Sequence, residues 1–412
     1  MSFADEALAL DAADPLSAAR DLFVLPDRVI YLDGNSLGAL PRATAARVAQ
    51  VIEREWGERL IRSWNGDADG GPGWIDLPQR VGAKIAPLIG AAAHEVIACD
   101  STSVNVFKLL GAALKLRPGR RVILSEQGSF PTDIYMIQGL QQLGSTEQRL
   151  AEPEVLIDAL DDNVAAVLLS HVHYKTGRVH DMTAITAAAH AVGALVIWDL
   201  SHSAGAIKVD LSDSNADLAV GCGYKYLNGG PGAPAYLYVA ERLQADIANP
   251  LSGWMGHSAP FDFADAYAPA AGITRMLAGT PQILGLVALE IGVELIAALG
   301  MPALLAKSCA LTDFFIRVVA ATCPSLGLIS PASPQPRGSH VALRHPEAYA
   351  ICQALIARGV IGDFRDPDIL RFGFTPAYLG FVEVWRAVEQ IAAVLNAREW
   401  DHPRLRHRLT VT

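Results

Sequence analysis

Between residues 95 and 239 the chain alternates short apolar runs with stretches of helical length, and this alternation limits the possible folds more than any other feature. The runs occupy residues 95–98, 121–124, 165–169, 194–198, 218–220 and 235–239. Each has the length of a strand and is too apolar to be half exposed. Residues 104–116 and 181–192 lie between them with the apolar spacing of helices packed on a sheet. Strand, helix, strand in this order predicts a mostly parallel sheet covered on both faces. The last two runs are joined by a glycine-rich turn rather than a helix, which predicts an antiparallel edge.

At 412 residues the chain exceeds one core of ordinary size, so two domains are expected, and its 51% apolar content is enough to fill them. Residues 280–299 and 304–320 read as helices, 324–339 as a connection rich in Pro, Ser and Gly, and 346–358 and 381–395 as further helices. The division expected is a large domain over 56–299 and a small one over 300–412, with 1–55 packing on the small one.

A net charge of −10 gives no reason to expect nucleic acid or anionic lipid as a partner. The acidic start Met1-Ser2-Phe3-Ala4-Asp5-Glu6 is unlike a signal peptide, and no apolar run reaches the roughly 20 residues that cross a bilayer. Five cysteines without a CxxC pair suit a reducing compartment and speak against a zinc site or a disulfide framework. A soluble cytoplasmic protein without a metal is the expectation.

The candidate chemistry centres on Gly221-Cys222-Gly223-Tyr224-Lys225-Tyr226-Leu227-Asn228-Gly229-Gly230-Pro231-Gly232. Lys225 would stand at the carboxyl end of a buried strand, where open parallel sheets place ligands. Asp199 ends an earlier apolar run. A lysine and an acid on two strand ends of one sheet are what a pyridoxal phosphate enzyme needs: the lysine forms the Schiff base and the acid keeps the pyridine nitrogen protonated. A solvated turn lysine and a solvated strand-end aspartate read equally well from the same residues.

Asp100-Ser101-Thr102-Ser103-Val104-Asn105 follows a strand and opens a helix, as an anion site would, or as ordinary capping by Asp100 or Ser101 would. His202, three residues past Asp199, either bonds the acid or a phosphate, or bonds turn backbone. Ser129-Phe130-Pro131-Thr132-Asp133 also follows a strand, with Phe130 either flat against a cofactor ring or in the core. Arg371, in an apolar strand-like run, either forms an internal salt bridge or takes a substrate α-carboxylate.

With Tyr31-Leu32-Asp33-Gly34-Asn35-Ser36-Leu37-Gly38 and Pro41, His173-Tyr174-Lys175-Thr176-Gly177 and Gly253-Trp254-Met255-Gly256-His257, these segments resemble the kynureninases of the fold type I pyridoxal phosphate family. The resemblance runs along nearly the whole chain, in family order. It implies a large α/β domain with a seven-stranded, mostly parallel sheet, a small α/β domain, and a homodimer with sites at the subunit interface. It implies Lys225 as the Schiff-base lysine, Asp199 as the partner of the pyridine nitrogen and Phe130 as the stacking ring. Thr102, Ser103, His202, Tyr224, Trp254 and Thr280 would surround the cofactor, with Pro131, Thr132, Asp133 and Ser170 nearby and Tyr224 as a proton relay. Arg371, Trp64, Asn35 and Ser36 would meet the substrate. Trp64 and Thr280 depart from the vertebrate pattern, which has histidine and asparagine there, and look like the bacterial one.

The reaction implied is hydrolysis of L-kynurenine to anthranilate and L-alanine, with 3-hydroxy-L-kynurenine as a further substrate. One rival is a cysteine desulfurase, for which Cys323 would have to supply a thiolate on a mobile loop. Another is a non-catalytic binding protein that kept the fold, against which Lys225, Asp199 and Arg371 argue.

Overall fold

The computed structural model describes residues 1–66, 71–144, 146–335 and 337–408. Seven strands form the large sheet: β1 (Val96–Ala98), β2 (Val122–Glu126), β3 (Glu147–Ala151), β4 (Val164–Ser170), β5 (Leu195–Asp199), β6 (Leu218–Gly221) and β7 (Tyr236–Val239). Their spatial order is β1-β7-β6-β5-β4-β2-β3. Strands β3, β2, β4, β5 and β6 run parallel, whereas β7 is antiparallel to both of its neighbours.

Two expectations need correction. The strand after the glycine-rich turn is antiparallel but lies inside the sheet, between β6 and β1, because residues 96–98 return to cover it. The opposite edge, β3, has the sequence Glu-Gln-Arg-Leu-Ala and is partly exposed, so it lacks the apolar run that marks the other strands.

Side chains alternate across each strand, and both faces are covered. In β5, Leu195 and Ile197 pack toward α2 (Thr102–Leu116) and α3 (Pro131–Leu143). Val196 and Trp198 face the opposite core, which includes α4 (Met182–Ala191) and α5 (Ile283–Leu299). Ser101 caps α2 through its Oγ, and Pro131 opens α3, where a missing N–H costs nothing.

A second sheet has the order β8 (Gly327–Leu328), β9 (His340–Arg344), β11 (Ile369–Gly373), β10 (Asp363–Arg365), antiparallel throughout. It packs with α6 (Met301–Thr322), α7 (Ala348–Ala357) and α8 (Phe381–Asn396). The amino-terminal helix Phe3–Ala12 lies on α8, where the Asp11 carboxylate accepts from the backbone N–H of Phe381 and of Val382 at 2.6 and 3.0 Å. An acid at a helix amino terminus also offsets the helix dipole. Ile30–Tyr31 then pairs in parallel with Val360–Ile361, which carries residues 33–38 into the gap between the two sheets. Among the described residues no single helix is long and apolar enough to cross a membrane.

Candidate active site

The sheet topology converges the candidate residues on one edge. Strands β2, β4, β5 and β6 all end there, and β1, antiparallel to an antiparallel neighbour, ends there too. Ser170 and Asp199 are register partners at the ends of β4 and β5. Lys225 follows β6 in the glycine-rich turn, whose fit against residues 33–38 is close. The Gly38 N–H donates to the Tyr224 carbonyl at 2.8 Å, and a Cβ at Gly38 would collide with the Lys225 carbonyl.

The Lys225 Nζ lies 3.0 Å from His202 Nε2, 6.0 Å from the Phe130 ring centre and 5.8 Å from that of Tyr224. His202 is buried, and burial followed by the Lys225 cation pushes its pKa well below the ordinary range, so its ring is neutral and can accept from the ammonium. Asp199 is buried and accepts the Ser201 N–H at 2.8 Å. Burial raises its pKa, while the Ser201 hydrogen bond and Lys225 oppose the rise. Asp133, at the start of α3, is pushed well above the carboxylate range by burial and then by the charge of Asp199. One cation lies near two buried carboxyls, and each carboxyl opposes the ionisation of the other.

Several buried polar atoms here lack a partner among the described residues: Thr102 Oγ1, Asp133 Oδ2, Ser129 Oγ and His202 Nδ1. Unpaired buried groups are costly, and a ligand that pairs them offsets the cost. The helix starts at Thr102 and Pro131 add outward backbone N–H groups, which suit an anion. Phe130, 40% exposed and edge-on to Tyr174, offers a flat surface beside the lysine. These residues fit a flat, phosphorylated, aldehyde-bearing ring.

A second polar centre lies at the small sheet. Arg371 is 1% exposed, and its Nε and Nη2 donate to the carboxylate of Asp363 on the neighbouring strand. Its Nη1 donates to the Tyr174 carbonyl at 2.6 Å and its Nη2 to Ser36 Oγ at 3.0 Å. Ser36 in turn donates to Asp363 at 2.7 Å, and Arg365 reaches the same carboxylate at 2.8 Å. Burial would raise the pKa of Asp363, but Arg371 and Arg365 hold it below the ordinary value. Asn35 is fully buried over Gly373, whose Cβ would collide with its carboxamide, and neither amide atom has a partner among the described residues. The bidentate face that was open to a substrate in the sequence reading is therefore turned toward Asp363.

Comparison with known proteins decides the family. Residues 304–391 match the kynureninase C-terminal domain. Kynureninase of Deinococcus radiodurans is 55% identical over 394 residues, 95% of this chain and 96% of that protein. Kynureninase of Burkholderia mallei is 51% identical over the full length of both. The chain belongs to the kynureninase family.

Solved structures add the fold. The cysteine desulfurase CsdA of Escherichia coli superposes with a TM-score of 0.77 at 19% identity, covering 93% of this chain and 98% of that one. A C-DES mutant with glycine covalently linked to its PLP cofactor gives 0.75 at 17%, covering 89% and 99%. The fold is the fold type I architecture that the kynureninase motifs implied, and at such identities nothing beyond the fold follows. The desulfurase reading meets a physical obstacle here. Cys323 is 2% exposed at the carboxyl end of α6, and burial raises its pKa, the reverse of a loop thiolate.

Three residues that the kynureninase pattern singles out make their contacts with residues other than the lysine. Trp64 packs edge-on against Trp74 with ring centres 6.0 Å apart. Trp254 is 38% exposed and meets Phe261 and Phe263, both exposed. Thr280, also exposed, lines a small cavity with Cys99 and Asp100, close before the start of α2. Conversely, sequence reasoning missed Asp363, Arg365 and His340. An acid two residues ahead of an arginine at a strand start was the available signal for Asp363, and nothing local distinguished His340.

Proposed function

We propose that this protein is a pyridoxal phosphate-dependent kynureninase that hydrolyses L-kynurenine to anthranilate and L-alanine. One observation carries the reading: in a chain 55% identical to a kynureninase along 95% of its length, the Lys225 amine faces His202 and Phe130 and acts on the two buried carboxyls of Asp133 and Asp199. Lys225 would hold the cofactor, Asp199 its ring nitrogen, Phe130 its face, and Thr102, Ser103, Thr132, His202 and Tyr224 its phosphate and rim. When bound, the cofactor supplies an electron sink for negative charge at the substrate's α and β carbons.

The chain's own groups do the rest. Lys225 would take the proton from the α carbon and return protons during the cycle. Asp199, buried in a site of low dielectric, would hold a proton on the ring nitrogen at little reorganisation cost. His202, neutral beside Lys225, accepts the ammonium hydrogen bond and so orients the amine. Tyr224, whose pKa burial raises, stays a phenol and can pass a proton to the γ-carbonyl as water adds. The bond between the β and γ carbons then breaks, the acyl carbon keeps the hydroxyl, and the β carbon takes a proton. Arg371, with Ser36 and Asn35 beside it, faces the α-carboxylate.

The division proposed for the chain is a large domain over 56–299 and a small one over 300–412, with 1–55 packed on the latter. We also propose a homodimer in which the exposed Trp254, Phe261 and Phe263 meet the second copy beside its lysine centre. Burying three aromatics offsets water contact that a monomer leaves in place.

The test is direct. Protein purified with pyridoxal phosphate and given L-kynurenine should release fluorescent anthranilate and equimolar alanine. Release of sulfide from cysteine without anthranilate would favour the desulfurase reading, and binding without turnover the non-catalytic one.

A further inference from the structure

Arg371 meets the site with most of its hydrogen-bonding capacity committed. Of the five N–H groups of a guanidinium, Nε and one on Nη2 go to Asp363, the second on Nη2 to Ser36, and one on Nη1 to the Tyr174 carbonyl. A single Nη1 proton remains. Two-point capture of a carboxylate, the usual role of an arginine fork, then needs a donor from another residue. Pulling Arg371 off Asp363 instead would take two charge-assisted hydrogen bonds from a buried carboxylate and leave it only Arg365 and Ser36.

His340 is placed to be that donor. It opens β9 opposite Gly373, and Ala342, two residues on, is opposite Arg371. Opposed residues share a face and strand residues two apart share it too, so His340 and Arg371 project from the same side of the sheet as diagonal neighbours. On its other side the His340 ring lies 5.4 Å from the ring of His202, which contacts Lys225. His340 thus neighbours His202, which contacts the lysine, and Arg371, the two groups that the kynureninase reading assigns to the amino-acid end of the substrate. It is 0% exposed, and neither ring nitrogen has a partner among the described residues. Burial and then the Arg371 cation push its pKa well below the ordinary range, so the ring is neutral and carries one N–H. A buried donor with no partner is a cost to the fold that a ligand relieves.

We propose that His340 donates the second hydrogen bond to the α-carboxylate of the substrate, completing the hold that Arg371 begins. The proposal rests on the kynureninase reading and names a substrate-binding residue for it.

The experiment compares the holoenzymes of wild type, His340→Ala and His340→Gln. It measures kcat and KM for L-kynurenine, the inhibition constant of its decarboxylated analogue, and the visible spectrum of the bound cofactor. His340→Ala should raise KM tenfold or more, with kcat within threefold and the spectrum unchanged. The analogue lacks the carboxylate, so its inhibition constant should stay within twofold. His340→Gln keeps an N–H donor and should recover most of the loss. If His340→Ala fails to hold cofactor, His340→Met, which fills the space without a donor, should behave as stated for Ala. A KM within twofold of wild type, or an equal loss for the analogue, would overturn the proposal, as would a spectrum altered in the Gln variant. A wild type that releases no anthranilate would instead overturn the functional reading.

Discussion

Asp363 and Arg371 stand directly opposite each other on adjacent antiparallel strands, β10 and β11, both 1% exposed and joined through two N–H donors. The pairing gives the arginine a structural role beside the binding role proposed for it. Asp363→Ala should cost about 3–5 kcal/mol of stability, the scale for stranding one member of a buried pair. Urea unfolding measures this, and a loss under 1 kcal/mol would mean that the pair contributes little. Arg371→Leu should raise KM for kynurenine steeply with the cofactor spectrum intact, and should lower stability because it leaves the buried Asp363 carboxylate only Arg365 and Ser36.

Lys225 should carry the cofactor covalently. Borohydride reduction followed by peptide mapping should place the pyridoxyl group on the peptide containing Lys225, the lysine beside His202. Label on Lys175 or Lys208 would end the assignment. Lys225→Ala should still take up cofactor, loosely, and lose turnover.

Asp199→Asn should reduce kcat by at least a hundredfold, about 2.7 kcal/mol in barrier height, while cofactor affinity falls much less. An amide keeps the shape and the Ser201 hydrogen bond but cannot hold a protonated pyridine. Turnover within about tenfold of wild type, roughly 1.4 kcal/mol, would remove Asp199 from this role.

Asp33 makes stability depend on pH. Burial and the charge of Asp363 push its carboxyl up to about 7. An acid with a higher pKa folded than unfolded stabilises the fold while protonated. Its contribution is complete below about pH 4 and is lost as pH rises through 7, by at most about 4 kcal/mol. Asp33→Asn should therefore gain stability relative to wild type between pH 5 and 8. Unfolding curves that stay parallel across that range would contradict the assignment.

Trp64→His should shift the ratio of specificity constants toward 3-hydroxykynurenine if Trp64 of one copy reaches the substrate ring. An indole offers one hydrogen-bond donor, so a ring hydroxyl against it stays unpaired, a penalty of about 1–3 kcal/mol. An unmoved ratio with lowered stability would leave Trp64 as the edge-on partner of Trp74.

The sequence by itself determined the apolar strands of the large sheet and the lysine turn. Runs such as residues 194–198 are buried on both faces, and that burial writes an unbroken apolar signal into local sequence. The polar edge β3 carries no such signal, and the interior place of β7 depends on pairing with a strand about 140 residues earlier, which no local pattern encodes. Lys225 and Asp199 were legible because glycine-rich turns and strand ends announce themselves. The partners of Arg371 were not. Whether a buried arginine faces an internal acid or an open site depends on register between strands and on residues 33–38 crossing from the other end of the chain. His340 is the extreme case: its neighbours come from two segments far apart in the chain, His202 from one and Arg371 and Gly373 of β11 from the other, and only their packing leaves its nitrogens buried and without a partner among the described residues.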